Sequence, residues 1–171
     1  MTEPPNPLRL FASLSVPLVV LLVLPWLIRT ALAAYDTRWA TQPMALPARV
    51  LGVALALAGA GLFAWCVWLI TNQGRGTIMP WDPSTRLVVR GPYRHVRNPM
   101  ISAVLFLVSG QALIWGSWLT GALALFFFLV NHFYFIYSEE PGLEQRFGES
   151  YRHYKAHVPR WLPRRTPWPN E

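Results

Sequence analysis

The sequence predicts an all-α membrane protein with about four transmembrane helices, the last two forming a helical hairpin, and a C-terminal amphipathic helix covering a site at the cytosolic surface. Three observations predict it. Apolar residues make up 53% of the 171 residues and charged residues only 13%, against about 25% charged in an average soluble domain. The apolar residues are gathered into runs long enough to cross a bilayer. The basic residues that give the formal charge of +7 lie mostly between and after those runs, so they belong to loops and not to a nucleic-acid-binding face. The expected partner is the bilayer, with no nucleic acid.

Residues 1–10 are proline-rich and polar. Residues 11–34 form the first apolar run, interrupted only by prolines, serines, Arg29 and Thr30. As a helix it reaches roughly 36 Å at 1.5 Å per residue, enough to cross a hydrocarbon core of about 30 Å with some tilt. The rival reading is a signal peptide, with Arg9 as its positive end and Ala31-Leu32-Ala33 resembling a cleavage site. The length of the run, and Pro25, Trp26 and Arg29 within it, favour a span. Residues 35–49 are a polar connection carrying Asp36, Arg38 and Trp39.

Residues 50–70 form the second span, in which Gly52, Gly59, Gly61 and several alanines permit close approach by a neighbouring helix. The single cysteine, Cys66, lies inside this span, which excludes an internal disulfide and argues against a cysteine metal cluster. No metal is expected: His153 and His157 have metal-ligand spacing, but no further ligand accompanies them.

Residues 71–99 are rich in glycine, proline and arginine and read as a structured loop, with Leu87-Val88-Val89 as its one extended candidate. Gly74 and Gly76 lack the spacing and the preceding strand of a dinucleotide fingerprint. Residues 100–115 and 118–138 are the two arms of the hairpin, joined at Gly116-Ser117. The second arm turns polar as it ends, through Asn131, His132, Tyr134, Tyr137, Ser138, Glu139 and Glu140. Ionisable groups at that depth are costly unless they line a cavity. Beyond Pro141, the residues Leu143, Phe147, Tyr151, Tyr154 and Val158 recur at helical spacing. They define an amphipathic helix that is expected to lie on the membrane surface and cover the site. The proline-rich tail cannot continue it. The expected division is therefore 1–72, a two-helix membrane region; 73–163, a catalytic region; and 164–171, a polar tail.

Four spans place twelve of the fifteen Lys and Arg residues on one side and leave Arg29, Arg38 and Arg49 on the other. By the positive-inside rule the chain is multi-pass in the cytoplasmic (inner) membrane, with the site facing the cytoplasm, where a water-soluble cofactor has access. The site is the meeting of Arg90-Gly91-Pro92-Tyr93-Arg94-His95-Val96-Arg97-Asn98-Pro99 with Glu139-Glu140. Clustered arginines, a histidine and paired carboxylates between cytosol and lipid suit a reaction of a polar cofactor with an apolar acceptor. Composition does not choose between methyl, hydride and phosphoryl transfer. The arginines also suit headgroup anchors, and the glutamates suit caps of the following helix.

Residues 91–99, Glu139-Glu140, Leu143-Glu144, Phe147-Gly148-Glu149-Ser150-Tyr151, Tyr154, Val158-Pro159-Arg160 and Leu162-Pro163 occur in an order that resembles the isoprenylcysteine carboxyl methyltransferase and phospholipid methyltransferase family. These are membrane enzymes that use S-adenosylmethionine, and the resemblance covers roughly residues 74–163. It implies that Tyr93, Arg94, His95, Asn98 and Pro99, with Glu139 and Glu140, bind the cofactor. It also implies that Arg97 lies on the cofactor side, that Glu139 and Glu140 lie near its amino-acid part or the reacting centre, and that a lipid-like or prenylated acceptor enters from the bilayer. Arg97, Glu139, Glu140 and, from its place two helical turns before Glu139, His132 are the candidate catalytic residues. The chain departs from the family at Asn98, where a histidine is common, and at Ile101, where a tyrosine is common.

The chemistry agrees with these roles. Carboxylates favour a sulfonium and its ammonium, arginines favour carboxylates, and methyl displacement needs in-line placement more than proton transfer. An amine acceptor needs a base such as a glutamate or His132, and a carboxylate acceptor needs none. Two other readings stand beside the methyltransferase: an NADPH-dependent membrane sterol or steroid reductase, which resembles this chain in its C-terminal pattern, and a non-enzymatic lipid-binding protein.

Overall fold

A computed structural model describes residues 14–15, 17–36, 45–74 and 84–169. Among them all regular structure is helical: α1 (Leu24–Ala31), α2 (Ala45–Leu69), α3 (Pro99–Trp115), α4 (Trp118–Tyr134), α5 (Glu140–Phe147) and α6 (Glu149–His157). Two continuous helical stretches, Ala45–Gly74 and Trp118–Phe147, are long and apolar enough to cross a membrane. At 30 residues each they reach about 45 Å, longer than a hydrocarbon core of about 30 Å, so their ends project beyond it. The apolar helices Val19–Ala31 and Pro99–Trp115 are shorter. Part of the expected first span, residues 11–13 and 16, lies outside the described residues.

Prolines explain two irregular turns. The five residues before α1 (Val19–Val23) and the five before α5 (Phe135–Glu139) are π-helical, and each turn is followed by a proline in the first turn of the next helix, Pro25 and Pro141. Proline has no N–H for the carbonyl four residues back and its ring crowds that carbonyl, so the helix widens instead of breaking. The residue before each proline donates its N–H five residues back, Leu24 to Val19 and Glu140 to Phe135. The carbonyl that Pro25 leaves without a helical donor, Leu21 O, accepts instead from Gln111 Nε2 of α3 at 2.9 Å.

Three expected elements differ from those observed. The second span starts at Ala45, with Pro47 in a first turn that needs no N–H from it, and runs on through a π turn (Ile70–Gly74) that was expected to be loop. The hairpin's second arm does not end at Ser138 but passes through the proline into α5. The single amphipathic helix expected over residues 143–158 is two helices, divided at Gly148, whose φ of +54° favours glycine.

The chain forms two compact units. One contains Ser15–Gly61 and Ser102–Asn131. Its α2 and α3 touch backbone to backbone, because a Cβ on Gly52 would come within 2.7 Å of Gly110 O and one on Gly59 within 2.8 Å of Ala103 O. Gly52 and Gly59 thus allow the close helix approach expected of them, whereas a Cβ on Gly61 would meet nothing within 4 Å. The α3–α4 turn uses Gly116 at φ +63°, and Ser117 Oγ accepts the Thr120 N–H at 3.0 Å as the cap of α4.

The other unit contains Leu62–Ile101 and His132–Glu171. Its core is Tyr151, Tyr154, Val158 and Trp168, with Leu87, Val89, Leu143 and Phe147 packed against it. The apolar face of α6 is thus buried against the loop and the tail, whereas its amphipathic pattern predicts a helix lying on the membrane surface. Tyr151, Tyr154 and Val158 are only 2%, 3% and 1% exposed, so little apolar area remains on that face for lipid.

Candidate active site

The arginine-rich loop is made rigid before it makes a site. Gly91, at φ +54°, turns the chain where a Cβ would come within 2.8 Å of the Trp65 ring, and Gly91–Arg94 coil into a 3-10 turn. Pro99 then opens α3 at a position where a missing N–H costs nothing. On one side the loop is strapped by the tail. Arg97 N–H donates to Pro159 O at 2.9 Å, Arg164 N–H to His95 O at 3.0 Å and Trp168 N–H to Arg94 O at 3.0 Å. Two side chains return bonds, Arg94 Nε to Trp168 O at 2.5 Å and His95 Nδ1 to Arg164 O at 2.8 Å. On the other side the Tyr154 hydroxyl donates to Tyr93 O at 2.7 Å. Burial raises the Tyr154 phenol well above the ordinary value and pushes Tyr151 up to about 12, with the Glu140 carboxylate adding to the second shift. Both therefore stay neutral hydrogen-bond donors at any physiological pH.

The two adjacent glutamates have opposite fates. Glu140, 4% exposed, is the centre of an ionic cluster. Its Oε1 accepts from Arg160 Nε at 2.6 Å and lies 2.9 Å from Arg97 Nη1, while its Oε2 lies 3.2 Å from Lys155 Nζ. Lys155 also donates to Glu144 at 2.6 Å, and that hydrogen bond is the main cause raising the pKa of its ammonium. Glu139, half-buried at the end of the π turn, forms no ion pair or hydrogen bond with any described residue. One carboxylate anchors the cluster, and its neighbour takes no part in it.

Arg97 faces both. Its side chain is only 10% exposed, its Nη1 meets Glu140 as an ion pair without hydrogen-bond geometry, and its Nε has no acceptor among the described residues. A buried guanidinium with unused donors is costly unless an anion completes it. The chemistry of this donor set fits a carboxylate.

The remaining sequence-predicted residues have structural partners. Tyr93 has its phenol buried, with a pKa raised well above 10 chiefly by desolvation. Arg94 and His95 bind the tail, Pro99 is fully buried, and Asn98 is half-buried just before it. His132 accepts the Trp161 Nε1–H on its Nδ1 at 3.0 Å, so its own proton sits on Nε2. Trp161 stacks on the same ring and tilts against Phe135. Sequence reasoning missed Lys155, Arg160 and Tyr151 as partners of the cluster. Arg160 stood in a recognised block, Val158-Pro159-Arg160, but nothing in its spacing pointed twenty residues back to Glu140.

The family model described as phospholipid methyltransferase matches residues 47–150, a span that contains the loop and both glutamates. An "Uncharacterized protein" of Haemophilus influenzae is 44% identical over 55 residues, covering 29% of this chain and 86% of that protein.

Proposed function

Because the chain belongs to the phospholipid methyltransferase family, we propose that it is an integral-membrane enzyme moving a methyl group from S-adenosylmethionine to a lipid-like acceptor, an isoprenylcysteine carboxylate or similar. It does so as a multi-pass protein of the cytoplasmic membrane, its site facing the cytoplasm. The observation that carries this reading is Arg97, nine-tenths buried with donors that lack an acceptor among the described residues, beside the paired carboxylate of Glu140.

Bound S-adenosylmethionine supplies an electrophilic methyl group on a sulfonium. Arg97 holds the amino-acid carboxylate of the donor through its free donors, its position fixed by Glu140 and by the backbone bond to Pro159. Glu139 holds the ammonium of the donor, or takes the proton of an amine acceptor. Tyr93, Arg94, His95, Asn98 and Pro99 form the wall of the cofactor site through the loop that the tail and Tyr154 make rigid. His132 fixes Trp161 and so the start of the tail. Placement of donor and acceptor supplies on the order of 7–11 kcal/mol of the barrier, with little acid–base chemistry required.

Apolar residues exposed on the spans, among them Leu125, Phe126 and Phe133, fit an acceptor that arrives through the bilayer. Such an acceptor gains about 0.8 kcal/mol per buried CH₂ by partitioning. Radiolabelled S-adenosylmethionine, offered with prenyl-thioether acids, amino-phospholipids and short water-soluble analogues below their micelle concentrations, is expected to label the long-chain members far better than the short ones. Equal labelling of short and long acceptors excludes entry from the membrane.

A further inference from the structure

In the unit that holds α1, α3 and the start of α2, a cavity of about 140 Å³ is lined by Arg29, Asp36, Arg49, Ile114, Trp115 and Ser117. It lies where α1 and α3 end and α2 and α4 begin. We propose that it binds the phosphate of a membrane-lipid headgroup, at a site separate from the methyl-transfer chemistry and on the side of the membrane that the charge distribution places outside. The inference rests on the membrane-spanning reading above.

The chemistry of the lining points to such an anion. The Arg29 guanidinium lies over the Trp115 ring, 5.2 Å from its centroid. Stacking uses the face of the guanidinium plane and leaves its in-plane N–H donors open. Neither Arg29 nor Arg49 makes a hydrogen bond or ion pair with any described residue, although a carboxylate shares their cavity. That carboxylate is committed elsewhere: Asp36 Oδ1 accepts the Leu119 N–H at 3.2 Å in the first turn of α4. Two guanidinium groups and one carboxylate leave a single positive charge, which a phosphodiester monoanion neutralises while accepting from both arginines. The second Asp36 oxygen is then placed to accept from a hydroxyl or ammonium of the same headgroup.

The source of the phosphate follows from depth. Trp26 on α1 and Trp118 at the start of α4 are 59% and 62% exposed, and Leu22, Leu27 and Leu32 are exposed along the same helix and its end. Tryptophans at the ends of apolar helices mark the headgroup level of a bilayer. A phosphate at that level belongs to a lipid, and free phosphate is the competing source.

Native mass spectrometry of the full-length protein, released from detergent with dioleoylphosphatidylglycerol, dioleoylglycerol or inorganic phosphate, tests this. Wild type is expected to retain one phosphatidylglycerol, to retain no dioleoylglycerol, and to be unaffected by millimolar inorganic phosphate. Arg49→Gln, an exposed change that loses no hydrogen bond or ion pair with a described residue, is expected to cut retention tenfold or more, since a charge-assisted bond is lost. The double variant Arg29→Gln/Arg49→Gln is expected to abolish it. Equal retention by wild type and Arg49→Gln, or equal retention of the phosphate-free dioleoylglycerol, overturns the site. Displacement of the lipid by inorganic phosphate overturns the lipid assignment.

Discussion

Replacing Glu140 with glutamine is expected to destabilise the unit that bears the candidate site by about 3–5 kcal/mol, the range for breaking a buried ion pair from one side. The carboxylate is 4% exposed and faces Arg97 and Arg160, whose side chains are 10% and 20% exposed, so its removal leaves two poorly solvated cations facing each other. Lys155, 38% exposed, adds little to that cost because solvent screens it. A loss of this size is a large share of the 5–15 kcal/mol that holds a typical domain together. Glu139→Gln is expected to melt with the wild type and yet to lose methyl transfer, because Glu139 has no described partner to release. Melting of both variants in detergent, read alongside labelled methyl transfer, separates the roles. Glu140→Gln as stable as wild type excludes the anchoring role.

Replacing Arg97 with lysine is expected to weaken S-adenosylmethionine binding about 10- to 100-fold, while costing less stability than Glu140→Gln. Lysine keeps the charge that faces Glu140 but loses the planar fork that holds a carboxylate and Glu140 together. Losing a hydrogen bond to a charged group is worth about 1.5–3 kcal/mol, which gives that range of affinity. Calorimetric titration of the variant checks it. Unchanged affinity excludes Arg97 from the cofactor site.

How far the sequence could be read depended on the distance over which each feature is determined. Helical class and the membrane-crossing stretches follow from local composition, and α2 and the α3–α4 turn at Gly116-Ser117 lie close to where hydropathy puts them. Helix ends were misplaced at prolines, because Pro47 and Pro141 sit in first turns that accept them and a π turn absorbs the rest. The split at Gly148 needed a positive φ that periodicity does not signal. Arg97 and Glu140 stand in the motifs that mark the candidate site, and the structure pairs them directly. The tail was not. Arg164 and Trp168 fall in a stretch that reads only as a proline-rich tail, whereas their backbone bonds to His95 and Arg94 are long-range contacts that no local pattern encodes. The same applies to Arg160 and Lys155, whose meeting with Glu140 depends on how α5, α6 and the tail fold back on one another.

The most direct measurement is titration of the purified protein in detergent with S-adenosylmethionine and, separately, with NADPH. Methyl transfer at the Arg97–Glu139–Glu140 site predicts saturable one-site binding of S-adenosylmethionine, weakened by Arg97→Lys, with no saturable binding of NADPH. Saturable NADPH binding with none of S-adenosylmethionine would contradict it and assign the site to a reductase.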